Sequence, residues 1–112
     1  MASVDIVIVL TTAPDDERAA AWARTLVEER LAACVHVHGP MTSFYRWKGI
    51  VERETERQVV IKTTRERVAA LRVRLGELHS YDMPEFVVLN VDNGGGAGDE
   101  YLEWVVEQTR LH

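Results

Sequence analysis

The stretch from Ser43 to Thr64, SFYRWKGIVERETERQVVIKTT, is the part of the chain that most restricts its fold. Tyr45, Trp47 and Gly49 alternate with Phe44, Arg46 and Lys48, and a period of two places successive side chains on opposite faces of a strand. The pattern predicts a long β-hairpin with strands over Phe44–Val51 and Arg57–Thr63. Between them, Glu52-Arg53-Glu54-Thr55-Glu56 has no apolar periodicity. That run is expected as a turn standing in water above a buried aromatic base. A hairpin of this length is marginal alone and requires a covering surface.

The covering surface must come from a small chain. With 112 residues, the sequence has room for one domain, residues 1–112, built on one core. A net charge of −5, with basic residues interleaved among Glu and Asp, argues against nucleic acid, because phosphate binding requires clustered Lys and Arg. The opening MASVDIVIVL lacks a basic n-region, and its apolar run is too short to span a bilayer. A single cysteine excludes an internal disulfide. Together these features predict a cytoplasmic protein without membrane contact.

Ile6–Leu10 is a continuous, largely β-branched apolar run, the pattern of a central strand covered on both faces. Thr11-Thr12-Ala13-Pro14 ends it, and Asp15, Asp16 and Glu17 suit the positive end of a helix. That helix is predicted over 15–30, with Ala19, Ala23, Leu26, Val27 and Leu31 as its apolar stripe and Trp22 at the margin. Cys34–His38 reads as a strand, and Gly39-Pro40 as a bend before the hairpin. Thr63-x-x-Glu66 matches a capping box ahead of a second helix bearing Val68, Leu71, Leu75 and Leu78 and stopping near His79. Phe86–Val91 is a last strand, Asn93–Gly98 a loop without the ending of a phosphate-binding loop, and Asp99 a helix cap ahead of Leu102, Val105 and Val106.

The order is β-α-β-β-α-β with a C-terminal helix, an α+β, ferredoxin-like arrangement. Two helices would cover one face of a four-stranded antiparallel sheet. The uncovered face predicts self-association.

Six segments in order, Thr11-Thr12-Ala13-Pro14-Asp15, Arg30–Val35, Tyr45–Gly49, Ile61–Thr64, His79–Glu85 and Tyr101–Trp104, resemble the signatures of the CutA divalent-cation tolerance proteins. The resemblance implies a PII-like homotrimer with hairpin strands crossing between subunits. It also implies a link to copper (Cu²⁺) or another divalent cation, and no established catalytic activity. Metal binding in the family is associated with a cysteine before the Thr-Ala-Pro motif and with a histidine pair before the Pro-Tyr segment. Here those positions hold Thr11 and Leu78-His79, and Ser80 replaces the proline. Of the implied ligands only His79 is present.

Asp82 and Glu85 could add oxygen ligands to His79 if the loop folds back, and the alternative for His79 is a histidine that anchors its loop by local hydrogen bonds. A second candidate metal set is Cys34, His36 and His38, which share one face of the predicted strand. Cys34 and His38 would lie about 13 Å apart on a straight strand, so closing all three on one ion needs a bend. The alternatives are a small buried hydrophobe for Cys34 and a polar strand face for the histidines. Tyr45, Trp47, Lys62, His79, Tyr81, Pro84, Glu85 and Trp104 are expected around inter-subunit clefts that would take a small ligand or a partner protein. No nucleophile stands at a recognised spacing from a base, so no catalytic residue is assigned.

Overall fold

The β-branched run at the start of the chain forms the strand it predicts, extended to Pro14 as β1 (Ile6–Pro14). In the computed structural model, which describes residues 5–92 and 100–111, the remaining elements are α1 (Arg18–Glu28), β2 (Cys34–Trp47), β3 (Ile50–Thr64), α2 (Val68–Leu78), β4 (Val87–Asn90) and α3 (Glu100–Gln108). The predicted loop at 93–98 and the Asp99 cap lie outside the described residues. The strands form one antiparallel sheet in the order β2-β3-β1-β4, the α+β ferredoxin-like topology. Among the described residues no helix is long and apolar enough to cross a membrane.

The odd-numbered residues of β1 and β3 face the helices. Val7, Val9, Ala13, Val59 and Ile61 pack with Ala19, Trp22 and Leu26 of α1 and Leu71 and Leu75 of α2. Each large aliphatic side chain sealed there contributes roughly 1.5–3 kcal/mol. Trp22 is buried, whereas Val27 is exposed, so the apolar stripe of α1 is turned slightly from the predicted one. The helix is also shorter than predicted at both ends. Asp16 accepts a hydrogen bond from the backbone N–H of Arg18 at 2.9 Å, satisfying a donor at the start of the helix. Arg30 adopts a left-handed φ of 60°, and the bonds from Arg30 N to Val27 O and from Leu31 N to Leu26 O close the C-terminus as a Schellman motif.

The capping box is not made. Thr64 provides no side-chain cap, Thr63 donates its hydroxyl to Leu31 O at 2.8 Å instead, and a 3₁₀ turn over Arg65–Arg67 leads into α2.

The hairpin differs most from its prediction. Glu52–Glu56 is not a turn: it lies within β3, paired with Met41–Tyr45 of β2. The chain reverses at Lys48 (φ 49°) and Gly49 (φ 81°), and two consecutive positive φ values are those of a two-residue type I′ turn, whose twist matches that of the flanking strands. Gly39-Pro40 is likewise not a bend between two strands. It is a bulge inside a single 14-residue β2.

That bulge controls which face each side chain takes. Before it, Cys34 and His36 pair with Lys62 and Val60; after it, Met41, Ser43, Tyr45 and Trp47 pair with Glu56, Glu54, Glu52 and Ile50. One surplus residue on β2 exchanges even for odd positions. Tyr45 and Trp47 therefore share a face with the three glutamates.

The face opposite α1 and α2 carries Ile8, Leu10, Val60, Val87 and Leu89. α3 covers one end of it, where Val105 packs on Ile6 and Ala33. The guanidinium of Arg30 reaches Gln108 O and that of Arg67 reaches Thr109 O, holding the carbonyls at the end of α3. The hairpin beyond the bulge projects as an arm and gives the molecule extents of 50 × 27 × 23 Å.

Candidate functional site

The arm, the end of β1 and the loop after α2 enclose an open groove of about 870 Å³. Met41, Ser43, Tyr45 and Trp47 line it from β2, Glu52, Glu54, Glu56 and Gln58 from β3, Thr12 from β1, and Tyr81, Asp82, Met83, Pro84 and Glu85 from the loop. The glutamates follow the period of the strand, so three carboxylates stand in a row on one wall.

The loop is held by His79, the residue at the C-terminal end of α2. Its ring lies between Trp22 and Tyr81, with centroids 4.6 and 4.5 Å away. Nε2 donates its proton to the carbonyl of Thr12 at 2.7 Å, and Nδ1 accepts the backbone N–H of Tyr81 at 3.1 Å. These two bonds fix the neutral tautomer with its proton on Nε2. Burial pushes the His79 pKa below the ordinary imidazole value, against the Thr12 carbonyl and Glu56, which favour the charged form.

Tyr81 then turns into the groove and donates its hydroxyl to Glu56 Oε2 at 3.0 Å. Glu56 is only 7% exposed. Burial raises the Tyr81 phenol far above its usual range, and the hydrogen bond to Glu56 reinforces the shift. Further out, the Tyr45 phenol is raised by its hydrogen bond to Glu54. Gln58 bridges the walls, donating to Thr11 O at 2.6 Å and to Glu85 Oε2 at 3.3 Å.

The family resemblance implies a divalent cation, and these donors do not converge on one. Both ring nitrogens of His79 serve the backbone, so no lone pair is left for an ion. Asp82 and Glu85 line the groove rather than folding back to the imidazole. Thr11, the position at which the resemblance implies a cysteine, is sealed among the core residues, and its hydroxyl has no partner. Among the described residues, no three His, Cys, Asp or Glu side chains are grouped to hold a metal ion. The residues do not fit a resident metal centre.

The second predicted set divides. Cys34 and His36 meet, with Sγ 3.3 Å from Nε2, whereas the bulge interrupts the strand at His38. The predicted cleft residues also divide. Tyr45, Trp47, Tyr81 and Pro84 line the groove, while Lys62 and Trp104 flank Tyr101 at α3, with Lys62 Nζ 5.2 Å from the Tyr101 ring and the Trp104 ring 5.6 Å from it. Glu52, Glu54 and Glu56, expected from the sequence in a solvated turn, line the groove instead. The i, i+2 spacing of the glutamates was the available signal.

Residues 7–108 match the sequence family described as CutA1 divalent ion tolerance protein. The chain belongs to this family. The "Divalent-cation tolerance protein CutA" of Thermus thermophilus is 43% identical over 102 residues, covering 91% of this chain and 96% of the relative. The crystal structure of CutA1 from Oryza sativa superposes with a TM-score of 0.89 at 33% identity, covering 98% of each chain. A structure described as "PII-like protein CutA from Nostoc sp. PCC 7120 in apo form" superposes at 0.85 with 40% identity, covering 95% of this chain and 99% of that one. The CutA fold, α+β and PII-like, is thus the fold of this chain.

Proposed function

We propose that the protein is a cytoplasmic, homotrimeric divalent-cation tolerance protein whose groove takes a divalent ion transiently, as cargo. The observation that carries the assembly is the arm. Phe44, Ile50 and Val51 are 67%, 62% and 61% exposed, and Val87 and Leu89 are exposed on the open sheet face. Apolar surface on this scale is stabilised by burial against a copy of the chain. Transient binding is supported by the carboxylates of Glu52, Glu54, Asp82 and Glu85, oxygen donors that an ion can enter and leave. Among first-row divalent ions, Cu²⁺ would bind such a set most tightly. The family's tolerance of divalent ions agrees with this reading.

The walls of Tyr45, Trp47 and Tyr81 favour a second reading, a PII-like module that accepts a small cationic ligand or a partner segment in the same groove. A metabolite that raises the melting temperature without metal would select it.

Sedimentation velocity at micromolar concentration should give a trimer for the wild type and a smaller species for Val51→Lys. A wild-type monomer would overturn the assembly. Calorimetric titration with Cu²⁺ should show weak binding that is reduced in the Glu52→Gln/Glu54→Gln variant. Equal heats in the two proteins would remove the groove as the site.

A further inference from the structure

The groove between the arm and the loop after α2 carries charge of one sign. Of its fifteen lining residues, Glu52, Glu54, Glu56, Asp82 and Glu85 bear carboxylates, and none is Lys, Arg or His. The three on β3 recur at every second residue, which sets successive ones about 6.5–7 Å apart along the wall. The phenol of Tyr81 donates to Glu56 Oε2 at 3.0 Å and that of Tyr45 to Glu54. These bonds steady the row, and a carboxylate that accepts one of them keeps further acceptor positions open. Glu56 is buried, whereas Glu52 is half-buried and Glu54 exposed, so Glu52 and Glu54 are the pair a ligand reaches first. The rings of Tyr45, Trp47 and Tyr81 line the same groove. An ammonium already stands near one of them, with Lys48 Nζ 5.8 Å from the centroid of the Trp47 ring.

We propose that the groove binds a linear aliphatic cation whose ammonium groups are separated by four methylenes, one ammonium on Glu52 and the next on Glu54. The inference rests on the reading of the groove as a site for a small cationic ligand, and it names the class of that ligand. Five bonds of about 1.5 Å, extended at near-tetrahedral angles, hold the terminal nitrogens of such a diamine about 6 Å apart. Alternate positions of a strand are about 6.5–7 Å apart, so the two spacings match. A metal ion meets such a row one carboxylate at a time, and among the described residues no three His, Cys, Asp or Glu side chains group around one point. A single ammonium or guanidinium likewise satisfies one carboxylate and leaves the next without a partner. A chain with two ammonium groups meets both, and its second contact is intramolecular. Its methylenes lie against the aromatic rings, which also attract the charged ends.

Calorimetric titration of the wild type at pH 7 and low salt compares three probes. One is 1,4-diaminobutane, the second is n-butylamine, with the same four methylenes and one charge, and the third is Mg²⁺, with the same double charge at one point. The diamine should bind roughly fivefold more tightly than n-butylamine, the gain of one further charge pair, and more tightly than Mg²⁺. Added NaCl should weaken the diamine more than the monoamine. In Glu52→Gln/Glu54→Gln the diamine should fall to the affinity of n-butylamine, and the comparison of probes on the wild type does not depend on how that variant folds. A diamine that binds no more tightly than n-butylamine or Mg²⁺, or one indifferent to the double substitution, would overturn the proposal. If both amines bind equally, the groove still takes a cation and the broader reading stands; if neither amine gives heat, both fall.

Discussion

His79 can hold its loop only while uncharged. Protonating Nδ1 removes the acceptor for the Tyr81 N–H and places a second donor against it. Because burial lowers the folded pKa below the unfolded value of 6.5, the unfolded chain binds the proton more readily. The stability this residue contributes is complete above pH about 6.5 and is lost as pH falls through the folded pKa. Thermal melts of the wild type should therefore decline between pH 7 and pH 5 more steeply than those of His79→Gln, and parallel curves would refute the assignment. Thr11 poses a simpler problem, since its buried hydroxyl has no partner and an orphaned polar group costs about 1–3 kcal/mol. Thr11→Val, of nearly the same shape, should raise the urea midpoint by the equivalent of about 1 kcal/mol. At this scale the candidate site was only partly legible in the sequence. His79 was identifiable from its motif, but its bonding to Thr12 and Tyr81 depends on how α2 meets β1, which no local spacing encodes.

The arm is a single element whose two ends depend on backbone geometry. Gly49, at φ 81°, lies where a side chain is strained, and a β-branched one most of all. Gly49→Val should cost roughly 1–2 kcal/mol, measured as a lower urea midpoint. A midpoint equal to that of the wild type would show that the turn relaxes into another type. Periodicity located the strands of the hairpin but misplaced its turn, because the charged Glu52–Glu56 run resembles a solvated tip and Lys48-Gly49 is less conspicuous than Asn-Gly. A charged run can still be a strand when alternate members face an aromatic wall. Gly39-Pro40 was likewise noticed as an interruption, yet its effect on the faces is a property of pairing with β3 and becomes visible only across two strands.

For the whole molecule, element order sufficed. The β-α-β-β-α-β succession, read from apolar periodicity and helix-start residues, corresponds to the observed sheet, and the six ordered motifs correspond to the CutA1 family. Nothing in those patterns announced that α3 would cover one end of the open face, since that depends on Val105 finding Ile6 and Ala33. The sheet order also makes β2 an outer strand, and a 14-residue border of unpaired amides and carbonyls is a template for uncontrolled strand addition. Pro40 removes one donor from the middle of that border, and the adjacent bulge breaks its regular spacing. The irregularity that aims Tyr45 and Trp47 into the groove thus also breaks the regular template that strand addition requires.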